Sequence, residues 1–194
     1  VHIFSEPLLP AKSGGIGEPK KAARRLARQQ RRLIERRARR LRRIAHLAPL
    51  LGLDANSIEA DRGQDIHALR ANAVSTRIEL PQLLNVLLKL AKRRGYAGGI
   101  KTRKEGDEGE VQPGIESLQT MLKDKGVETV GQLLNKRFEN GESLKLKSLK
   151  LYAHRDMLLD EFDCIWREQA KHHEMLNSEA DAYSVRGVVE RLPV

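Results

Sequence analysis

The chain has 194 residues, of which 40% are hydrophobic and 32% charged, and it carries a formal net charge of +10 at pH 7. This length suits one domain or two small ones, and the apolar fraction is sufficient for a buried core. The single cysteine excludes an internal disulfide and a thiolate zinc cluster, which suits a cytoplasmic protein. No run approaches the ~18 apolar residues of a membrane span, so we expect no membrane segment.

The first predicted element is a short strand-like run in residues 1–12, which Pro7 and Pro10 interrupt. Residues 13–17 are rich in glycine and predict a hinge. The chain begins with Val1 rather than methionine. We therefore expect it to be a piece of a longer protein.

A basic helix is predicted next. The segment Lys20–Arg43 contains 13 basic residues, 11 of them arginine, and a single acid, Glu35. The other 170 residues hold 23 Lys/Arg against 25 Asp/Glu, so the positive charge is confined to this segment. Pro19 suits the first position of a helix and Pro49 prevents its continuation, so the helix should end near Leu47.

The two sides of this helix differ in chemistry. Apolar side chains share one stripe at helical spacing, and they include Ala23, Leu26, Leu33, Ile34, Leu41 and Ile44. Most arginines lie on the other side, where pairs such as Arg24 and Arg28 place like charges four residues apart and destabilise the helix. An external polyanion would relieve this repulsion.

Three anionic partners are compatible with the pattern: nucleic acid, an acidic segment of the same chain, and an anionic membrane surface. Arginine presents a planar fork that matches phosphate oxygens, and this favours nucleic acid. The stripe is narrow and lacks Trp and Phe, which disfavours the membrane.

The remaining pattern is helical throughout and predicts an all-α fold. Helices are expected at 66–73, from Pro81 to about residue 94, at 115–125, 130–138 and 155–176, and at about 179–189. Residues 97–114 contain five glycines and predict a linker.

Several other groups have ordinary structural explanations. The block Lys92-Arg93-Arg94 before Gly95 also suits a helix C-terminus. The histidines His154, His172 and His173 lack ligands at metal-binding spacing. Carboxylates such as Asp160 and Glu161 lie in the first two turns of a predicted helix, and a catalytic role for them is the least favoured interpretation.

Four blocks, in this order, resemble an RNA-guided CRISPR effector nuclease of type II, in a compact, type II-C-like form. Lys20–Arg43 resembles the arginine-rich bridge helix and is the most specific match. Further blocks resemble the recognition lobe: His67–Ala71 with Leu80–Tyr96, Thr129–Leu134, and Tyr152–Arg155 with Glu161–Trp166. Residues 1–12 resemble the strand after the first RuvC-like motif.

The resemblance implies a domain organisation: a strand remnant of the RuvC-like domain and a hinge at 1–18, a bridge helix at 19–48, and a helical recognition domain at 49–194. It also implies that the catalytic motifs lie outside this chain. We therefore expect no enzymatic activity and no cofactor in the chain, whereas the parent DNA endonuclease would use Mg²⁺.

The resemblance further implies partners and contact residues. The partners would be guide RNA and target DNA in an RNA–DNA heteroduplex. Arginines of the bridge helix would contact phosphates of the guide's seed segment: Arg24, Arg25, Arg28, Arg31, Arg32, Arg36, Arg39 and Arg43. A second group would contact guide or repeat RNA: Lys92, Arg93, Arg94 and Tyr96, with Arg70 as a weaker candidate.

Two other functions remain open from the sequence. In the first, the chain is a protein-interaction module whose basic helix docks an acidic partner such as an anti-CRISPR inhibitor. In the second, it is a small enzyme that uses the acidic patch around Asp160 and Glu161.

Overall fold

The computed structural model describes residues 20–53, 65–93, 95–96 and 111–177. These residues form helices and no named strand, which confirms the predicted all-α fold. The α-helices are α1 (Lys20–Ala45), α2 (Leu47–Leu50), α3 (Ile66–Asn72), α4 (Leu80–Lys92), α5 (Val111–Asp124), α6 (Val130–Glu139) and α7 (Arg155–Ala170). Two 3-10 helices cover Leu146–Leu149 and Glu174–Asn177.

Some predicted elements lie outside the described residues. They are the strand in 1–12, the hinge in 13–17, most of the linker and the helix at 179–189. The chain divides into two compact units, Val1–Arg39 and Arg40–Val194, and the division falls within α1. We call the second the C-terminal unit.

The basic helix α1 has 26 residues, a length of about 39 Å at ~1.5 Å per residue. It ends at Ala45, close to the predicted end, and His46 forms a turn before α2. Pro49 lies inside α2 rather than after the helix. A proline is tolerated in the first turn because the amide hydrogens there have no intrahelical acceptor.

The larger apolar core of the C-terminal unit is built on α4. Glu79 and Gln82 form a capping box at its start, and Pro81 lies in the first turn, as predicted. Its buried side chains pack with the end of α1, with α2 and with α7; the fully buried members include Ile44, Leu83, Leu84, Leu87, Ile165 and Leu176.

A second core lies between α5, α6 and the segment that precedes α7; its buried members are Leu118, Leu122, Val130, Leu133, Leu134 and Leu151. Here α5 begins at Val111, not at residue 115, so the linker prediction is wrong for residues 111–114. Gly114 is buried in α5, where an added Cβ would lie 2.2 Å from the Lys150 carbonyl oxygen and 2.6 Å from the Tyr152 ring. This glycine permits a close approach between two segments and does not serve as a flexible spacer.

Helix α7 contributes to both cores, because Phe162 and Ile165 belong to the first and Leu158 packs against the second. It ends at Ala170, six residues before the predicted end. The chain then turns so that the His173 ring approaches the Ile78 carbonyl at 2.8 Å. The buried Gln169 amide donates to the carbonyls of Ala73 and Thr76 at 2.8 and 2.7 Å.

A buried ion pair joins α3 to α7. Arg70 is 3% exposed and Glu161 is 0% exposed. The guanidinium donates Nε–H to Glu161 Oε1 and an Nη2–H to Oε2, the latter at 2.7 Å. Gly131 of α6 donates its backbone N–H to Oε2 at 3.1 Å. Three helices therefore meet at one carboxylate.

Replacing Glu161 with glutamine should strongly destabilise the C-terminal unit. The substitution leaves the Arg70 guanidinium buried without its counter-charge, a change that typically costs about 3–5 kcal/mol. We expect a loss of that size in the free energy of unfolding, measured by urea denaturation.

The matched control is Asp160→Asn, which makes the same chemical change at the exposed neighbouring position. It should change stability by less than about 0.5 kcal/mol. An equally small effect of both substitutions would show that the buried pair does not hold these helices together.

Candidate nucleic-acid interface

The arginines of α1 are presented to solvent. Every residue from 21 to 39 is exposed, and with it seven of the eight predicted phosphate contacts: Arg24, Arg25, Arg28, Arg31, Arg32, Arg36 and Arg39. The eighth, Arg43, lies in the C-terminal unit and is also exposed. The helix thus displays a row of guanidiniums along its length.

Little negative charge opposes this row. Among the described residues, one exposed arginine of α1 forms an ion pair: Arg39 pairs with Glu35 at 2.9 Å. Both side chains are more than half exposed. Such a surface pair contributes about 0.3–0.5 kcal/mol at most. Within the described part of the chain, the like-charge repulsion predicted from the sequence is therefore largely uncompensated.

Three large apolar side chains of α1 are also exposed: Leu26 at 57%, Leu33 at 53% and Ile34 at 70%. They form the first part of the predicted stripe. Its last part is different, because Ile44 is buried in the larger core of the C-terminal unit. Among the described residues, the stripe therefore packs into an apolar core at its C-terminal end, whereas Leu26, Leu33 and Ile34 remain exposed.

A second basic region surrounds the end of α4. Lys92 and Arg93 are exposed and Tyr96 is partly buried, whereas Arg94 lies outside the described residues. Gly95 has a φ of +67°, and a Cβ there would lie 2.8 Å from backbone atoms of His154 and Arg155. Only glycine allows this close passage.

The backbone of Tyr96 is fixed against the start of α7. Its N–H donates to the Ala153 carbonyl and its carbonyl accepts from the Arg155 N–H, both at 2.8 Å. These two bonds form a parallel bridge between Tyr96 and His154. The segment after α4 is thereby held beside the N-terminus of α7.

A cavity of about 390 Å³ opens beside this segment. Its apolar lining comes mainly from α6, from the 144–153 segment and from α7, and includes Leu134, Leu146 and Leu158. Its polar lining comprises His67, Arg70, Lys89, Arg93, Tyr96, Lys145, Lys147 and Tyr152. Among the described residues that line it there is no aspartate or glutamate.

The cavity cations perturb one another. Burial lowers the pKa of the Lys89 ammonium, and the positive charges of Arg93, Lys92 and Arg70 lower it further. Burial is also the main reason that the pKa of His67 is lowered, with Lys89 next. An anion in the cavity would stabilise the charged form of Lys89.

Arg70 lines this cavity, but its guanidinium fork is occupied by Glu161. A phosphate would have to compete with a buried, bidentate carboxylate for the same donors. The predicted RNA contact of Arg70 stays a prediction, and the structure gives this residue a partner that the sequence pattern did not indicate.

Sequence reasoning missed several cavity residues. Lys89 lies on the face of α4 opposite its leucine stripe, and Lys145, Lys147 and Tyr152 lie in a segment without a helical period. For Lys145 and Lys147 the signal in the sequence is a local excess of lysine between residues 145 and 150.

The acidic patch considered as an enzyme site is divided in the structure. Asp160 is exposed, whereas Glu161 is buried against Arg70. The three histidines are also separated in role: His154 caps α7, His172 lies 3.2 Å from Glu168, and His173 faces the Ile78 carbonyl.

The described residues contain no group of three or more His, Cys, Asp or Glu side chains placed to hold a metal ion. They also contain no helix long and apolar enough to cross a bilayer.

Solved structures share this fold. A crystal structure of Campylobacter jejuni Cas9 in complex with sgRNA and target DNA matches 89% of this chain at 24% identity, with a TM-score of 0.72. A cryo-EM structure of a St1Cas9–sgRNA–tDNA20–AcrIIA6 dimeric assembly matches 87% at 17% identity and a TM-score of 0.67. Streptococcus thermophilus Cas9 with AGGA PAM matches 88% at 15% identity and a TM-score of 0.61.

The match covers most of this chain, but the chain spans only 25% of the length of the Campylobacter jejuni protein. No family profile and no curated protein sequence matches the chain. At these identities the likeness establishes the fold. It confirms, at that level, the resemblance to type II CRISPR nucleases predicted from the sequence.

The His67 imidazole should titrate below its ordinary pKa of 6.5. Because the pKa of His67 is lower in the folded chain than in the unfolded chain, its neutral form contributes to the free energy of unfolding. This contribution is fully present above pH 6.5 and is lost as the pH falls through the folded-state pKa. We expect NMR titration to give a lowered value, and Lys89→Met to raise it because one repelling charge is gone.

Lys92→Met is the matched control, because it removes a neighbouring exposed lysine that does not act on His67. It should leave the His67 pKa unchanged. A His67 pKa at or above 6.5 in the unmodified chain would contradict the burial of this imidazole, and an equal effect of the two substitutions would contradict the repulsion by Lys89.

Proposed function

We propose that this chain is the nucleic-acid-holding region of an RNA-guided DNA endonuclease of CRISPR defence. The observation that carries the proposal is the exposed arginine row of α1, which has Glu35 as its one carboxylate partner among the described residues. The shared fold supports it, because the matched Campylobacter jejuni Cas9 is in complex with sgRNA and target DNA.

In this proposal α1 is the bridge helix and binds phosphates. Arginine binds two phosphate oxygens at once with its planar fork, and it stays charged at any physiological pH. The contacts to the guide's seed segment come from Arg24, Arg25, Arg28, Arg31, Arg32, Arg36, Arg39 and Arg43.

Such contacts recognise the shape and charge of an A-form duplex rather than its sequence. In RNA-guided nucleases the sequence is read by base pairing between guide and target, and the protein holds the heteroduplex by its backbone. Lys92, Arg93, Arg94 and Tyr96 contact guide or repeat RNA in the same sequence-independent way.

The chain itself is proposed to bind and not to cut. Strand cleavage and Mg²⁺ would belong to the nuclease domains of the complete endonuclease. Arg70 and Glu161 are assigned to the packing of the C-terminal unit.

A second candidate function is docking of an acidic protein such as an anti-CRISPR inhibitor on α1. Exposed Leu26, Leu33 and Ile34 favour it, because protein interfaces bury apolar side chains whereas phosphate binding does not need them. St1Cas9 occurs in an assembly with AcrIIA6.

Binding to an RNA duplex should weaken steeply with salt. Contacts to six to eight phosphates predict a slope of log affinity against log salt of roughly −4 to −7. Replacing Arg28, Arg32 and Arg36 with glutamine should reduce the slope by about 1 for each arginine removed. Fluorescence anisotropy at several salt concentrations measures both.

The matched control removes three exposed positive charges outside α1, with Arg77, Lys123 and Lys125 changed to glutamine. Its slope should stay close to that of the unmodified chain. A slope near −1 for the unmodified chain, or equal losses in the two triple variants, would contradict phosphate binding by α1.

The apolar stripe separates the two candidate functions. Changing Leu26, Leu33 and Ile34 to glutamine keeps every arginine, so RNA affinity should change by less than about twofold, since phosphate contacts dominate such binding. If this variant loses as much RNA affinity as the triple arginine variant, phosphate contacts by α1 do not dominate RNA binding, which contradicts the proposed function. If it keeps RNA affinity but no longer binds an acidic protein, the apolar stripe serves the docking function.

A further inference from the structure

The cavity of the C-terminal unit combines features that a phosphate-binding surface does not require. It has a floor of leucines, two tyrosines and a group of basic side chains around about 390 Å³. Small-molecule sites typically occupy about 300–1,000 Å³. The space is therefore suited to one compact ligand and is too small for a stretch of duplex.

The two tyrosines are held by backbone contacts from different parts of the chain. Tyr96 is fixed by its hydrogen bonds to Ala153 and Arg155. Tyr152 donates its N–H to the Gly114 carbonyl at 3.3 Å, and its ring passes so close to Gly114 that no Cβ would fit. The Tyr152 ring is held by this packing, and an aromatic side chain that is already positioned loses little entropy when a ligand binds.

The cations around the cavity come from separate elements. Lys89 and Arg93 belong to the end of α4, and Lys145 and Lys147 to the segment around the 3-10 helix Leu146–Leu149. Among the described residues no carboxylate lines the cavity. Burial lowers the pKa of Lys89, and the charge of Arg93 lowers it further. An anionic ligand would relieve the repulsion.

The combination selects one class of ligand. A free phosphate would not use the leucine floor or the tyrosines, and an uncharged apolar molecule would not use four cations. A nucleotide has both an aromatic face and a phosphate, and base–aromatic stacking tolerates every base.

We propose that this cavity is a mononucleotide site that takes one nucleotide with its base unpaired. The base lies on the apolar floor against Tyr152 and Tyr96, and the phosphate lies toward Lys89, Arg93, Lys145 and Lys147. The nucleotide comes from a single-stranded end of bound RNA, which rests on the proposed function, or from solution.

The experiment uses the full chain and three probes: a blunt RNA duplex, the same duplex with a single-stranded overhang, and free 5′-AMP and 5′-UMP. The overhang duplex should bind more tightly than the blunt duplex. Tyr152→Ala should remove that preference, a loss of roughly 5- to 150-fold, because it deletes the stacking surface. Tyr152→Phe keeps the ring and should keep the preference.

A charge variant guards against misfolding, because Tyr152 also packs on Gly114. Lys147→Glu changes an exposed side chain that lines the cavity, and Lys123→Glu makes the same change at an exposed position that does not. Lys147→Glu should weaken the overhang duplex more than Lys123→Glu does, with both variants unfolding at the same urea concentration as the unmodified chain.

The outcomes separate the sources of the ligand and the two proposals. Overhang preference that depends on Tyr152 and Lys147 supports the site with RNA as the source. The same dependence for 5′-AMP or 5′-UMP alone supports it with a free nucleotide. The site is refuted if Tyr152→Ala and Lys147→Glu reduce the affinity for every probe by no more than Lys123→Glu does. It is also refuted if polyglutamate displaces each probe as well as a free nucleotide does.

Failure of the cavity leaves the proposed function untouched, because binding of the blunt duplex depends on the α1 arginines. Conversely, if the chain binds mononucleotides but has no affinity for the blunt duplex, the proposed function is overturned and the mononucleotide site in the cavity is supported.

Discussion

The C-terminal unit depends on a buried ion pair at which α3, α6 and α7 meet. Arg70 and Glu161 are 3% and 0% exposed, and the carboxylate also accepts the Gly131 N–H. A buried charge is tolerable only when it is paired and hydrogen-bonded, so the three helices cannot shift independently. A Cβ at position 131 would lie 2.6 Å from Glu161 Oε1, so even the helix contact is restricted to glycine. His67, three residues before Arg70, and Leu134, three residues after Gly131, line the cavity from two of the helices that meet here.

The opposite electrostatic situation holds in α1. Between residues 21 and 39 its guanidiniums are exposed, and within the described part of the chain Glu35 is the carboxylate that pairs with one of them. The two regions place arginine in different environments: Arg70 is buried in the C-terminal unit and paired with Glu161, whereas the arginines between residues 21 and 39 are exposed. Burial therefore distinguishes an arginine that stabilises the packing from arginines that lie at the surface. The fold shared with Cas9 structures is consistent with this division between a packed unit and a charged helix.

The cavity is a second electropositive region of the chain, and it is open to solvent. Backbone contacts of Gly95, Tyr96 and Tyr152 bring the end of α4, the start of α5 and the start of α7 together. A ligand in this cavity would contact elements that are distant in sequence. Binding there would add to the stability of the C-terminal unit by mass action, in proportion to the ligand concentration relative to its Kd.

The sequence by itself determined the all-α class, the position of α1 and the segregation of charge, because these follow from local spacing, prolines and the order of residue types. It also indicated that α4 starts near Pro81 and that the helix ends before Gly95. Only the tertiary structure decided that Arg70 pairs with Glu161, 91 residues away, that α5 begins before Gly114, and that Lys89 and Tyr152 line one cavity. Helical periodicity states which face of a helix is apolar, but it does not state which distant side chain will meet a polar residue on that face. That choice depends on how the helices pack. The packing pairs Arg70, which the resemblance implied as an RNA contact, with Glu161, which the sequence placed in an acidic patch.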